Sequence, residues 1–177
     1  MGIEIERKFL LAGDGWREAA HKVVPMAQGY LNDLAIVDSG AMQASVRVRI
    51  EGDAAFLNIK SREAGPSRQE FDYEIPVADA RALLALCVGG TIDKRRHYVE
   101  HAGHLWEIDE FLGDNAGLLV AEIELGSVNE AFAKPVWIGA EATHAQRYYN
   151  LALASRPYSQ WREDERLALD LKEADGC

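Results

Sequence analysis

The chain is 177 residues long, 48% hydrophobic and 27% charged, with a formal net charge of −10. That size and composition fit one globular domain over 1–177 rather than a disordered or membrane protein. The acidic balance argues against a nucleic-acid surface, no apolar run approaches a bilayer span, and Met1 leads straight into charged residues, so a cytoplasmic protein with no nucleic-acid or membrane partner is expected.

Period-two alternation predicts a first strand over 2–10, with Glu4, Glu6 and Lys8 on one face and Ile3, Ile5 and Phe9 on the other; Arg7 is the exception. Strands over 27–34, 44–51 and 54–61 follow. In the last two, Arg47 and Arg49 oppose Val46, Val48 and Ile50, and Asn58 and Lys60 oppose Leu57 and Ile59. Glu51-Gly52-Asp53 supplies the turn between them. After Ala64-Gly65-Pro66-Ser67, a strand over 67–76 sets Arg68, Glu70, Asp72 and Glu74 against Phe71, Tyr73 and Ile75.

Asp79 then caps a helix over 79–88 that stops at Gly89-Gly90. Three more strands are predicted: 91–99 with Lys94 and Arg96 on one face, 104–111 with Glu107 and Asp109, and 118–126 with Glu122 and Glu124. Ser127 with Glu130 reads as a capping box for a short helix before Pro135, and Thr143 as the cap of a helix to Ser155. The segment 158–177 reads as an appended C-terminal helix or an oligomer contact, which leaves a homodimer open. The fold class is α+β, a mostly antiparallel meander.

The polar face of these strands is almost wholly ionic, with both signs and many Arg. An ordinary half-solvated sheet would put it toward water. Closing about eight strands into a barrel gives an interior that side chains or one small ligand can fill, and either face can be the inside. If the ionic face is inside, the Leu-rich helices cover the apolar face, and the surplus of acid calls for divalent cations. Residues i and i+2 lie roughly 6.5 Å apart on one face, so Glu4 with Glu6, and Glu122 with Glu124, each aim two carboxylates at one region. Such hard oxygen donors suit Mg²⁺ or Mn²⁺. Arg47 and Arg49 suit phosphate oxygens, and Lys8, Lys60 and Lys94 add compact charge.

The opening Glu4-Ile5-Glu6-Arg7-Lys8 is the Glu-x-Glu-x-Lys signature of the CYTH superfamily of triphosphate tunnel metalloenzymes. The likeness continues in order through Gln28-Gly29-Tyr30-Leu31, Arg47-Val48-Arg49, Ile59-Lys60-Ser61, Arg68-Gln69-Glu70, Lys94-Arg95-Arg96, Glu107-Ile108-Asp109, Glu122-Ile123-Glu124 and Arg147-Tyr148-Tyr149-Asn150. The chain thus resembles that family over about 2–155. The resemblance implies a closed eight-stranded antiparallel tunnel with a charged interior, helices packed outside, and action on a triphosphate with Mg²⁺ or Mn²⁺. By the same resemblance Glu4, Glu6, Glu122 and Glu124 are metal ligands, with Glu70 and Asp109 as further candidates. Lys8, Arg47, Arg49, Lys60, Lys94 and Arg96 form the phosphate cradle, joined by Arg68 and Arg147. Asp72 stands where many members carry Glu, and its shorter reach weakens a direct metal contact. Catalysis is assigned to Glu4, Glu6, Glu122, Glu124 and Lys8, with Lys8 either positioning water or holding phosphate.

Hydrolysis of inorganic tripolyphosphate is the leading expectation. The alternatives are a thiamine or nucleoside triphosphatase, a class IV type adenylate cyclase, and a non-catalytic polyphosphate or nucleotide-binding module. The paired carboxylates favour catalysis, because capturing phosphate alone needs only cations. His97, His101 and His104 read as surface histidines, and Trp106, Trp137 and Trp161 as structural aromatics.

Overall fold

The computed structural model describes residues 2–33, 36, 39–61 and 67–166, with the side chains of residues 2–4, 67 and 68 outside that description. The turn expected at 64–66 and residues 167–177 of the expected C-terminal helix lie outside the described residues as well; 163–166 are helical.

Nine strands form one sheet: β1 (Gly2–Leu11), β2 (Lys22–Tyr30), β3 (Ala44–Glu51), β4 (Ala54–Ser61), β5 (Ser67–Glu74), β6 (Val88–His101), β7 (His104–Phe111), β8 (Leu119–Glu124) and β9 (Ile138–Glu141). Their order is β5-β4-β3-β2-β6-β7-β8-β1-β9, with a further pairing of β5 with β1. Short helices α1 (Trp16–Ala19), α2 (Val77–Leu84) and α3 (Asn150–Ser155) punctuate them. No described helix is long and apolar enough to cross a membrane.

The expectation of eight strands closed on themselves is corrected to a nine-stranded sheet, and the reason lies in β1. Residues Glu6 to Leu10 pair with β8. The first residues, Gly2 to Ile5, pair with β5, which begins at Ser67 opposite Ile5. Phe9 and Leu11 therefore need another neighbour, and β9 supplies it through Phe9↔Glu141 and Leu11↔Ile138. A four-residue strand behind Pro135 has too little alternation to announce itself.

Other boundaries moved for local reasons. Strand β2 occupies 22–30 instead of 27–34 and contains Pro25, which has no N–H to offer; its carbonyl still accepts from Gly52 N–H at 3.0 Å. The capping box at Ser127 nucleates no helix, because the Glu130 carboxylate accepts from Gly126 N–H at 2.6 Å and meets His104 Nε2 at 3.0 Å. Thr143 is buried and engaged with β1, and the helix expected from it starts only at Asn150.

The apolar face is covered from outside in two places. Over β3 and β4, Val48 and Ala55 pack with Ala80 of α2, joined by Ile50, Leu57, Leu83 and Leu84. Over β1, β6, β7 and β8, Phe9, Trp106, Ile108 and Ile123 pack with Trp16 and Trp137. Trp106 meets Phe9 and Trp137 edge-on at centroid distances of 5.5 and 5.8 Å, the geometry aromatic quadrupoles favour. His97 is no surface residue: it is buried, edge-on to Trp16 at 4.8 Å, with Nε2 3.1 Å from Glu110.

Candidate active site

The ionic face is the sheltered one. Lys8, Lys94 and Asp109 are 3%, 2% and 1% exposed, and Arg47, Arg96 and Glu122 are also buried. Cross-strand register explains the convergence, since antiparallel partners share a face: Lys8 faces Glu122, Glu122 faces Glu107, Arg96 faces Asp109, Arg47 faces Asn58 and Lys60 faces Glu70. The same register puts Val24, Met26, Phe56, Phe111 and Val120 on this face too, so it is less uniformly ionic than the alternation suggested.

Two ion clusters result. In the first, Lys8 Nζ contacts Glu122 Oε1 and lies 3.2 Å from Glu6 Oε1. Arg96 grips Asp109 bidentately, Nε to Oδ1 and Nη2 to Oδ2 both at 2.7 Å, donates from Nη2 to Glu122 Oε2 at 2.7 Å, and reaches Glu107 through Nη1. Lys94 Nζ also donates to Asp109. In the second, Lys60 lies 3.4 Å from Glu70, Asn58 donates to Glu70 and to Asp72 (3.2 Å), and Arg49 lies 3.5 Å from both Asp72 and Glu51. Arg47 sits beside Arg49 with no hydrogen-bond partner for its Nε among the described residues.

Burial alone would raise the Glu122 carboxyl; the charges of Lys8, Arg96 and Lys94 outweigh it and hold Glu122 well below the usual carboxylate range. Asp109 is likewise depressed by Arg96 and Lys94 against the pull of burial. Burial would lower Lys8, yet Glu122 and Glu6 raise it above an ordinary lysine. Lys94 goes the other way: burial, aided by Arg96, pushes it down to about 8 despite Asp109. Arg49 is lowered by burial and by Arg47, whose like charge Glu51 and Asp72 do not fully offset.

Of the expected site residues, the structure brings Glu6, Lys8, Lys94, Arg96, Asp109 and Glu122 into one network and Arg49, Lys60 and Glu70 into the other, with Arg47 alongside. Glu124 is exposed at the position paired with Glu6. The side chains of Glu4 and Arg68 lie outside the described residues, although their backbones pair with each other. Arg147 is engaged elsewhere, its guanidinium over the rings of Tyr148 and Trp161 at 5.3 and 5.5 Å. Among the described residues no three potential ligands converge on one metal point, because the carboxylates are drawn onto the cations.

Sequence reasoning missed what holds Lys8. Its N–H donates to Thr143 Oγ1 (3.1 Å), its carbonyl accepts from Ala142 N–H (2.8 Å), and its Nζ lies 4.9 Å from the centre of the Tyr149 ring. Tyr149 Oη donates to the Thr143 carbonyl at 2.7 Å, and Thr143 Oγ1 donates to Glu141, which Arg7 Nε also reaches at 2.8 Å. The odd Arg7 is thereby explained: it points away from the ionic face and ties β1 to β9. No local pattern announces a contact spanning more than a hundred residues.

The Glu141 carboxyl would be raised by burial, but the hydrogen bonds from Arg7 and Thr143 hold it below its usual value. A carboxyl depressed in this way stabilises the fold above its unfolded pKa and loses that contribution as pH falls through the folded one. Urea unfolding is expected to show constant stability down to about pH 5 and falling stability below about pH 4, with a shallower acid slope in Glu141→Gln.

Buried ion pairs stabilise a fold poorly, since apolar replacements of similar volume are often as good. The buried first cluster, with the partly exposed second cluster beside it on the same face, therefore points to a guest that carries charge: a polyanion for the cations, and metal ions for the carboxylates that it displaces. This is the class of protein that the geometry defines. The comparisons agree: the CYTH domain model matches residues 2–155, and the chain belongs to that family. It is 44% identical over 164 residues to an inorganic triphosphatase of Acetivibrio thermocellus, covering 92% of this chain and all of the relative. It is 38% identical over 156 residues to an inorganic triphosphatase of Nitrosomonas europaea, covering 85% of this chain and 96% of the relative. A crystal structure of an inorganic triphosphatase superposes with a TM-score of 0.61 at 34% identity, over 87% of this chain and 95% of that one.

Proposed function

We propose that this protein hydrolyses inorganic tripolyphosphate to pyrophosphate and phosphate on its ionic face, with Mg²⁺ or Mn²⁺. The observation that carries the reading is the buried chain Lys8–Glu122–Arg96–Asp109–Lys94, with the half-buried Glu6 beside Lys8, in which both signs are sheltered and joined through Glu122. Two inorganic triphosphatases among the relatives support it. The face serves as the wall of a tunnel, a reading supported by the β5–β1 pairing that joins the two ends of the eight-strand run.

Glu4, Glu6, Glu122 and Glu124 would hold the metal, with Glu70 and Asp109 in reach of further ions; an all-oxygen donor set fits a hard divalent cation. When bound, that cation neutralises charge on the phosphate chain and acidifies water. The chain's own residues do the rest. Arg47 and Arg49 present planar N–H donors to non-bridging oxygens, and Lys60, Lys94 and Arg96 add charge where the transferring phosphoryl group develops it. Before metal and substrate bind, Glu122 and Glu6 hold the Lys8 ammonium above an ordinary lysine. Once those carboxylates turn to the metal, Lys8 is placed to orient the attacking water or to hold a terminal phosphate oxygen.

A substrate panel of tripolyphosphate, ATP, thiamine triphosphate and pyrophosphate, run with each metal, tests this. Equimolar phosphate and pyrophosphate from tripolyphosphate at the highest kcat/KM is the expected result. Cyclic AMP from ATP with no tripolyphosphate turnover would replace it with a cyclase.

A further inference from the structure

Strand β2 is the neutral strand of the ionic face. Its sheltered positions are Val24, Met26, Gln28 and Tyr30, and it runs between β3, with Arg47 and Arg49, and β6, with Lys94 and Arg96. Gln28 is the one residue of the four with an amide, and it is 1% exposed. Neither its Nε2 nor its Oε1 finds a hydrogen-bond partner among the described residues. A buried amide left wholly unpaired is costly, and a leucine or methionine would fill the same place without that cost.

The backbone fixes where this side chain points. A Cβ on the neighbouring Gly29 would lie 2.6 Å from Cys87 Sγ and 3.4 Å from Leu84 Cδ2. The segment at the end of α2 thus presses directly on β2 from outside, and a one-residue slip that turned Gln28 outward would drive a side chain into it. Register then sets Gln28 opposite Arg49 on one side and Ile92 on the other, while the next sheltered position, Met26, faces Lys94.

We propose that Gln28 is a substrate-binding residue whose Nε2 donates to a non-bridging phosphate oxygen held between Arg49 and Lys94. The proposal rests on the triphosphate reading above and adds to it a neutral contact. Neutrality is the point. Arg47 and Arg49 already repel each other, and a further cation on β2 would aggravate that before the substrate arrives, whereas an amide offers an N–H without charge. Its Oε1 accepts from the water that enters with the substrate.

The test is Gln28→Met, with Gln28→Glu as the second variant. For Gln28→Met the ligand-free Tm is expected to stay the same or rise, while KM for tripolyphosphate with Mg²⁺ rises about 10-fold to 100-fold, the worth of a hydrogen bond to a charged group. The thermal shift that tripolyphosphate with Mg²⁺ induces in the wild type should shrink in parallel. Gln28→Glu keeps the shape and pairs with the arginines, so it should fold and raise KM further. A lower Tm with unaltered KM would make Gln28 a structural residue and overturn the proposal, as would KM within two-fold of wild type in either variant. A wild-type enzyme that ignores tripolyphosphate sinks the functional reading instead, which separates the two failures.

Discussion

Glu122→Gln is expected to lower tripolyphosphate turnover by at least about 100-fold while the protein stays folded. Even groups that only support a metal ligand are worth about 10-fold to 100-fold, and the proposed function makes Glu122 a ligand itself. It is also the hinge of the first ion cluster, touching Lys8 through one oxygen and Arg96 through the other. The amide keeps the shape and one acceptor, so Lys8 and Arg96 retain Glu6, Glu107 and Asp109 as counter-charges. What is lost is the charge at the junction. Steady-state kinetics beside circular dichroism checks both halves: a folded variant with wild-type kcat would remove Glu122 from the machinery.

Arg96→Met is expected to damage the fold as well as the activity. The guanidinium is buried and holds Asp109, Glu107 and Glu122 together. Its removal leaves sheltered carboxylates without their main partner, and stripping one side of a buried pair costs about 3–5 kcal/mol. Burial already pushes Glu107 upward, against the Arg96 charge that lowers it. Without Arg96 that carboxyl should be pushed further upward, so the variant should regain part of its stability as pH falls. Urea unfolding at two pH values measures this. A loss under about 1 kcal/mol would show the network to be dispensable for folding.

The contrast between these variants follows from what the sequence could and could not convey. Alternation placed β3, β4 and β7 over the residues they occupy and sorted Arg47, Lys60, Asp109 and their like onto one face, because period two is a local property. Strand β2 was misplaced because Val24 and Met26 sit on the ionic face and Pro25 breaks the pattern between them. Strand β9 was missed because its existence depends on how much of β1 is left uncovered by β5, a tertiary fact. Glu130 followed by no helix shows a local signal overruled: its carboxylate is taken by Gly126 and His104. Which cation meets which carboxylate is likewise a matter of register between distant strands, so the ion types were legible and their pairing was not.

That pairing has a consequence for binding. A polyanion that draws Lys8 and Arg96 away leaves Glu122 and Asp109 uncompensated, and a metal ion that draws the carboxylates away leaves the cations so. Only the two guests together re-satisfy every sheltered charge, which fits a substrate that arrives with its metal.

Crystals grown with Mn²⁺ and a slowly hydrolysed tripolyphosphate analogue give the most direct measurement, through the anomalous signal of the metal. Expected are a Mn²⁺ peak among Glu6, Glu122 and their neighbours on the sheltered face, phosphate density against Arg47 and Arg49, and a broken Lys8–Glu122 contact. Metal and phosphate bound only on the outer surface, with that contact intact, would contradict the proposed function.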